Sequence, residues 1–150
     1  MQIVRAKPAD AETLTQIAHA AKKHWGYPED WMEKWRYLLT MRSEFIATNT
    51  TYCAIEDRRA IGFYLLTNEN DGPHLDHLWI TPDAMGRGIG RALFEHAIEQ
   101  ARMLGYRTLK IEADPNAEGF YLRMGARRVG AKVTAIDHLR RELPLLQYEL

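Results

Sequence analysis

One stretch narrows the folds open to this chain more than any other. Leu75-Asp76-His77-Leu78-Trp79-Ile80-Thr81-Pro82 has the make-up of a strand, and Met85-Gly86-Arg87-Gly88-Ile89-Gly90 follows it with glycines at 86, 88 and 90. From Arg91 to Leu104 the chain then has helical spacing, with Leu93, Phe94, Ala97, Ile98, Ala101 and Leu104 on one face. Strand, glycine loop and helix together build an anion site from backbone alone. The first N–H groups of a helix lack intrahelical partners, and the helix dipole places partial positive charge there. Glycines let a phosphate come close, because no Cβ stands in its way. The segment is therefore expected to hold a phosphorylated ligand.

Composition bounds the rest. A chain of 150 residues suits one domain with a proper core. Twenty basic residues cancel twenty acidic ones, which gives no electrostatic reason to expect nucleic acid or an anionic membrane as partner. The opening residues, Met1 to Pro8, lack the apolar core of a leader peptide, and no run approaches membrane-spanning length, so a cytoplasmic protein is the expectation. Cys53 is the single cysteine; it excludes an internal disulfide and a cysteine zinc site, and no bound metal is expected.

Periodicity assigns the other elements. Gln2 to Ala6 is expected as a strand, and Ala9 to Lys23 as a helix burying Leu14, Ile17, Ala18 and Ala21. Pro28 suits the first turn of a second helix reaching about Met41, with Trp31, Trp35, Leu38 and Leu39 on one side. Thr51 to Glu56 and Ala60 to Thr67 form a hairpin around Asp57-Arg58-Arg59, and Asn68 to Pro73 is a turn before the strand His74 to Thr81. Gly105 closes the long helix. Strands at Arg107–Ala113, Ala126–Gly130 and Leu143–Leu150 and a short helix at Ala117–Met124 complete the order β-α-α-β-β-β-α-β-α-β-β. That order predicts an α/β fold, a mixed central sheet flanked by helices. The final strand could also extend the sheet across a homodimer.

Two blocks make a resemblance specific. The Gly86-Arg87-Gly88-Ile89-Gly90 loop after Ile80-Thr81-Pro82, together with Asp114-Pro115-Asn116-Ala117-Glu118-Gly119-Phe120-Tyr121 up to Gly125, resembles the GNAT acyltransferase family. The family reads acyl-CoA with an (Arg/Gln)-x-x-Gly-x-(Gly/Ala) loop and carries a Phe/Leu-Tyr pair in the following helix. The element order matches over nearly the whole chain. One departure stands out: Met85 occupies the loop position where the family has Arg or Gln, so a side-chain contact to phosphate is lost, with Arg87 and Arg91 at hand to compensate.

The resemblance implies an acetyl-CoA-dependent N-acetyltransferase, acting by direct attack of a primary amine. Such a reaction needs a deprotonated amine, donors for the tetrahedral oxyanion and a donor for the leaving thiolate, whose pKa lies near ~8.5. By resemblance, the main chain of Leu78, Trp79 and Ile80 pairs with the pantetheine arm and the amides from Met85 to Arg91 take the pyrophosphate. Asn116 contacts the CoA arm, Phe120 and Tyr121 form the aromatic pair, and Tyr121 is the general acid. Family members place base or water-relay residues four and six positions before the Ile, at Asp76 and His74. Strand alternation puts those two on one face and His77 on the other. A histidine has a suitable ordinary pKa, whereas an aspartate would need burial.

Each residue also has a plainer reading. Tyr121 can be an amphipathic core residue. His74 and Asp76 can be solvated turn neighbours. Trp25, Tyr27, Trp31 and Trp35 can pack two helices together or, in the resemblance, grip the acceptor's ring or alkyl ammonium. Cys53 is expected as a small core hydrophobe, and His19, His96 and His138 as exposed residues. Other functions match only in part. A dinucleotide fold gains from Glu112, ~20 residues past the loop, but its pattern is G-x-G-x-x-G rather than G-x-G-x-G. A Walker-type NTPase lacks its Gly-Lys-Ser/Thr. An acyl-CoA-binding regulatory module without turnover stays open. The sequence leaves the acceptor open as well, a small-molecule amine or a peptide amine.

Overall fold

The computed structural model describes residues 1–69 and 72–150. Its strands are β1 (Gln2–Arg5), β2 (Thr50–Glu56), β3 (Arg59–Glu69), β4 (Gly72–Ile80), β5 (Thr108–Glu112), β6 (Arg127–Ile136) and β7 (Leu139–Glu149). Its α-helices are α1 (Ala11–Lys23), α2 (Glu29–Lys34), α3 (Ser43–Thr48), α4 (Ile89–Met103) and α5 (Glu118–Arg123). The strands form one mixed seven-stranded sheet in the order β1-β2-β3-β4-β5-β7-β6, with flanking helices. Pairing is parallel between β4 and β5, at His74↔Lys110 and Leu75↔Ile111. It is antiparallel for β1–β2, β2–β3, β5–β7 and β6–β7.

The chain divides into two compact units. The first comprises residues 1–66 and 77–97. Here α1 buries Leu14, Ile17, Ala18 and Ala21, the face its periodicity marks out, and Phe63, Leu65, Leu93 and Phe94 are buried with them. The β2–β3 hairpin turns on two residues, Asp57 and Arg58, both with positive φ (50° and 65°), the primed turn whose twist suits a hairpin. The second unit comprises residues 67–76 and 98–150, with Ile98, Ala101, Leu109, Ile111 and Leu146 buried.

The structure corrects several sequence expectations. The second helix does not run from Pro28 to Met41: α2 stops at Lys34, and a 3-10 turn covers Arg36–Leu39. The six-residue α3 was not expected at all. The last two strands are much longer than their apolar cores suggest, and Asp137-His138 joins them in a second primed turn (φ 50° and 66°). β7 lies between β5 and β6, so the final strand is no sheet edge and cannot carry the sheet into a second copy. The turn expected over Asn68–Pro73 falls in part on residues 70 and 71, outside the described residues; β3 reaches Glu69 and β4 begins at Gly72.

Candidate functional site

In the first unit, β4 ends at Ile80, and Pro82–Ala84 forms one 3-10 turn that leads to the glycine loop. α4 begins at Ile89, two residues before the sequence places it, so Gly90 and Arg91 belong to its first turn. Gly88 accepts the first intrahelical bond, from the Ala92 N–H at 3.1 Å, and the N–H groups of Ile89, Gly90 and Arg91 are left as donors at the helix start. Gly86 and Gly88 both hold positive φ, 76° and 82°, and a Cβ built on either meets nothing within 4 Å. That empty space beside two exposed glycines is room for an anion.

Ion pairs surround the loop. Arg87 donates to both carboxylate oxygens of Glu56, at 2.8 Å each. Arg59 forks onto Asp83 at 2.9 and 3.1 Å, and those hydrogen bonds hold the Asp83 carboxyl down at about 2. Arg91 reaches Glu95 one turn along α4, at 2.9 Å. The two guanidiniums expected to compensate for Met85 are thus both held by glutamates.

The aromatic residues of the α1–α2 region form a cluster. Trp31 and Trp35 have ring centroids 5.8 Å apart, Tyr27 lies 4.8 Å from Trp35, and the Lys22 ammonium stands 4.2 Å over Trp35. Trp35 is buried, which gives the cluster a packing role, while Trp25, Tyr27 and Trp31 stay half-buried. Trp25 reaches Trp79 of β4 at 5.8 Å, and the Trp79 indole N–H donates to His77 Nδ1 at 3.0 Å. Leu78 and Ile80 are half-buried.

In the second unit, Asp114 organises the entry to α5. Its buried carboxylate accepts from the backbone N–H of Asn116 at 2.8 Å and from the Asn116 side-chain amide at 3.0 Å. Arg141 of β7 stands 3.6 Å from it, and the two side chains are only 12% and 6% exposed. Tyr121 sits on α5 at 7% exposure, edge-on to Phe120 at 5.2 Å, and burial pushes its phenol up from the ordinary value. Gly125, at φ 102°, lets the chain reverse, so that the Ala126 N–H returns to the Tyr121 carbonyl at 3.0 Å. On β4, His74 is half-buried and Asp76 is exposed, without the burial that a base role for an aspartate requires.

Two further expectations meet the structure. Cys53 is buried and its thiol is pushed up to about 12 by burial, an inert core residue as expected. His96 is not exposed: its Nδ1 lies 2.6 Å from the Tyr64 hydroxyl, its ring 4.5 Å from Tyr52, and burial lowers its pKa. The sequence signal was available, since His96 lies three residues past Leu93 and one before Ala97, at the margin of the helix's apolar face.

Comparison with known proteins fixes the family. A model described as an acetyltransferase (GNAT) domain matches residues 13–139. The chain belongs to the GNAT acetyltransferase family. It is an acetyl-CoA-dependent N-acyltransferase. It is similar to the peptidyl-lysine N-acetyltransferase YjaB of Salmonella typhimurium, 38% identical over 105 residues that cover 69% of this chain and 67% of that protein. The protein of the same name in Escherichia coli is 38% identical over 106 residues, covering 68% and 65%. The matched segment thus spans about two thirds of these curated relatives. Among solved structures, a GCN5-related N-acetyltransferase from Rhodopseudomonas palustris superposes with a TM-score of 0.83 at 22% identity, covering 99% of this chain and 95% of the other. The PaiA N-acetyltransferase of Thermoplasma acidophilum, solved in complex with coenzyme A, gives 0.79 at 21% identity, covering 99% and 98%.

For a GNAT enzyme, the residues in place fit the donor. The loop offers open backbone at two glycines and a free helix start, which suits a pyrophosphate. Among the described residues no cluster could hold a metal ion, and no helix is long and apolar enough to cross a membrane.

Proposed function

We propose that this enzyme acetylates the side-chain amine of a peptidyl lysine, with Tyr121 as the acid toward the departing sulfur and His74 as the base, Asp76 beside it in a water relay. Support for the acceptor comes from the relatives' names, which specify peptidyl lysine. Support for the chemistry comes chiefly from one observation: Tyr121 is buried and its phenol is pushed upward. A phenol in that state keeps its proton at neutral pH. It hydrogen-bonds the sulfur as the C–S bond breaks and hands over the proton that the thiol product needs, and solvent then restores the phenol. The role is therefore to stabilise negative charge as it grows on sulfur, a preorganised donor in a dry site.

In the reaction, the amine nitrogen attacks the thioester carbon, and the tetrahedral intermediate collapses with cleavage of the C–S bond. The amine proton leaves through His74 or a water held by it, and the products are an amide and the free CoA thiol. The amides from Gly86 to Arg91 hold the pyrophosphate, that of Met85 being taken by the Pro82 carbonyl at 3.3 Å; the main chain of Leu78, Trp79 and Ile80 lines the pantetheine, and Asn116, fixed by Asp114, contacts the same arm with Phe120 alongside. Trp25, Tyr27 and Trp31 face the acceptor, where an aromatic surface suits an alkylammonium. A cytoplasmic location follows from the supply of acetyl-CoA. Tyr121→Phe tests the assignment, since it keeps the ring and deletes the donor. A kcat lower by about 10²–10⁴-fold, with CoA affinity and thermal stability unchanged, is expected. A kcat within about twofold of wild type would make Tyr121 a packing residue.

A further inference from the structure

The glycine loop has little of its own to hold it. Gly86, Arg87 and Gly88 are exposed, and no atom lies within 4 Å of a Cβ built on either glycine. An open cavity of about 660 Å³ lies against the neighbouring turn, lined by Gln16 and Ile17 of α1 and by Arg58, Arg59, Thr81 and Asp83. Packing on that side does not fix the turn against the loop. Thr81, before the loop, is tied to Ile61 of β3 by its N–H at 2.9 Å and its hydroxyl at 3.2 Å, and beyond that point two ion pairs of opposite polarity join the turn to the loop. Glu56, just before the β2–β3 turn, takes the Arg87 guanidinium of the loop, and Arg59, just after it, forks onto Asp83 at the loop's entrance. The Arg59–Asp83 contact is a two-nitrogen fork, the geometry in which exposed charges hold a fixed orientation, and Arg87 meets both Glu56 oxygens through one nitrogen. The turn between them is a two-residue primed turn, so Glu56 and Arg59 stand directly opposite one another in the ladder.

We propose that Glu56 and Arg59 are positioning residues for acetyl-CoA, acting through Arg87 and Asp83 to hold the glycine loop in the shape that presents its amides to the pyrophosphate. The inference rests on the functional reading above and goes beyond it, since neither residue touches the donor. It separates from simple charge attraction by sign. If only charge mattered, Arg59→Gln would weaken binding of an anion and Asp83→Asn would strengthen it. If the pair positions the loop, neutralising either partner weakens binding. Glu56→Gln discriminates in the same way: charge alone predicts tighter binding, because it frees Arg87.

The experiment is calorimetric titration of CoA into the wild-type chain and into Arg59→Gln, Asp83→Asn and Glu56→Gln, with kcat measured at saturating acetyl-CoA. Each single variant is expected to raise Kd about two- to fivefold, with kcat and melting temperature unchanged. The exchanged pair Arg59→Asp with Asp83→Arg is expected to recover most of the loss shown by Arg59→Asp alone. Opposite shifts for Arg59→Gln and Asp83→Asn, or unchanged Kd in all three, overturn the inference while wild-type binding leaves the functional reading in place. No binding of CoA to the wild-type chain overturns both.

Discussion

The molecule contains two hairpins with the same local geometry and different long-range ties. Asp57-Arg58 and Asp137-His138 both reverse the chain in two residues, both with an aspartate first, and their φ values agree within about a degree. The first turn is flanked by Glu56 and Arg59, which reach across 31 and 24 residues of sequence to the glycine loop. The second turn is exposed, and its hairpin makes its contribution through a strand: Arg141 of β7 meets the buried Asp114 that caps the approach to α5 and Tyr121. One hairpin serves its unit through the turn, the other through the body. Turn geometry alone therefore predicts nothing about role, and the distant charge partners do.

The comparison can be broken most severely at the loop the first turn supports. Gly88→Val places a β-branched residue at φ 82°, a region such side chains avoid, and fills the space left for an anion. The Kd for CoA is expected to rise at least about tenfold. Because no neighbour is struck, the fold should survive, and circular dichroism with a melting curve checks that. Unchanged CoA affinity in a folded variant would remove the loop from the binding site.

The second hairpin's tie is tested at Asp114. Asp114→Ala deletes the acceptor for the Asn116 N–H and removes a carboxylate from beside a mostly buried Arg141. A stability loss of about 1–3 kcal/mol by denaturant unfolding is expected. Asp114→Asn keeps an acceptor and should lose less. Equal losses in the two would show that the charge pair, rather than the cap, carries the effect.

How much of this was legible follows the range of the interactions. The glycine loop, α4 and the Phe120-Tyr121 block were readable because each is specified within a dozen residues. α3 was not, since six residues show barely two helical turns of period. β6 was seen only at its start because it is the sheet's edge: Val129, Val133 and most residues between are exposed, so no alternation between buried and solvent faces marks the strand. Neither turn carries the Asn-Gly or Asp-Gly that usually announces a primed hairpin. The Glu56–Arg87, Arg59–Asp83 and Arg141–Asp114 pairs join residues 24 to 31 apart, and charge along a sequence does not say which partner each will find.

The shared geometry of the turns gives a finer test. Arg58 and His138 each hold a positive φ that a side chain resists and glycine does not. Arg58→Gly and His138→Gly should each raise the melting temperature by about 2–4 °C, and by similar amounts. CoA affinity should not change in either, because Glu56 and Arg59 carry the tie and Arg58 does not. A gain confined to one turn would show that the two are held by unequal forces in spite of their dihedral angles.

The smallest expected effect concerns pH and again sets one hairpin against the other. His96 of α4 packs on Tyr52 and Tyr64, one from each strand of the first hairpin, and burial lowers its pKa. Folding therefore favours the neutral imidazole. In the unfolded chain the group titrates near ~6.5, so above that pH both states are neutral and folding stability does not depend on it. As pH falls below ~6.5 the unfolded chain takes up a proton before the folded one does, and stability declines until the folded pKa is passed. The Tyr64 hydroxyl, kept protonated by burial, lies 2.6 Å from Nδ1 and can donate to it only while that nitrogen has a lone pair. His96→Gln keeps an acceptor for Tyr64 and does not titrate. The difference in unfolding free energy between wild type and this variant should be flat above pH ~6.5 and shift against wild type below it. His138→Gln, which removes an exposed imidazole from the second turn, is the reference for the loss of a surface histidine. Parallel stability curves for wild type and His96→Gln through this window would mean that the Tyr64 contact persists with a charged ring, the hydroxyl oxygen then accepting instead of donating.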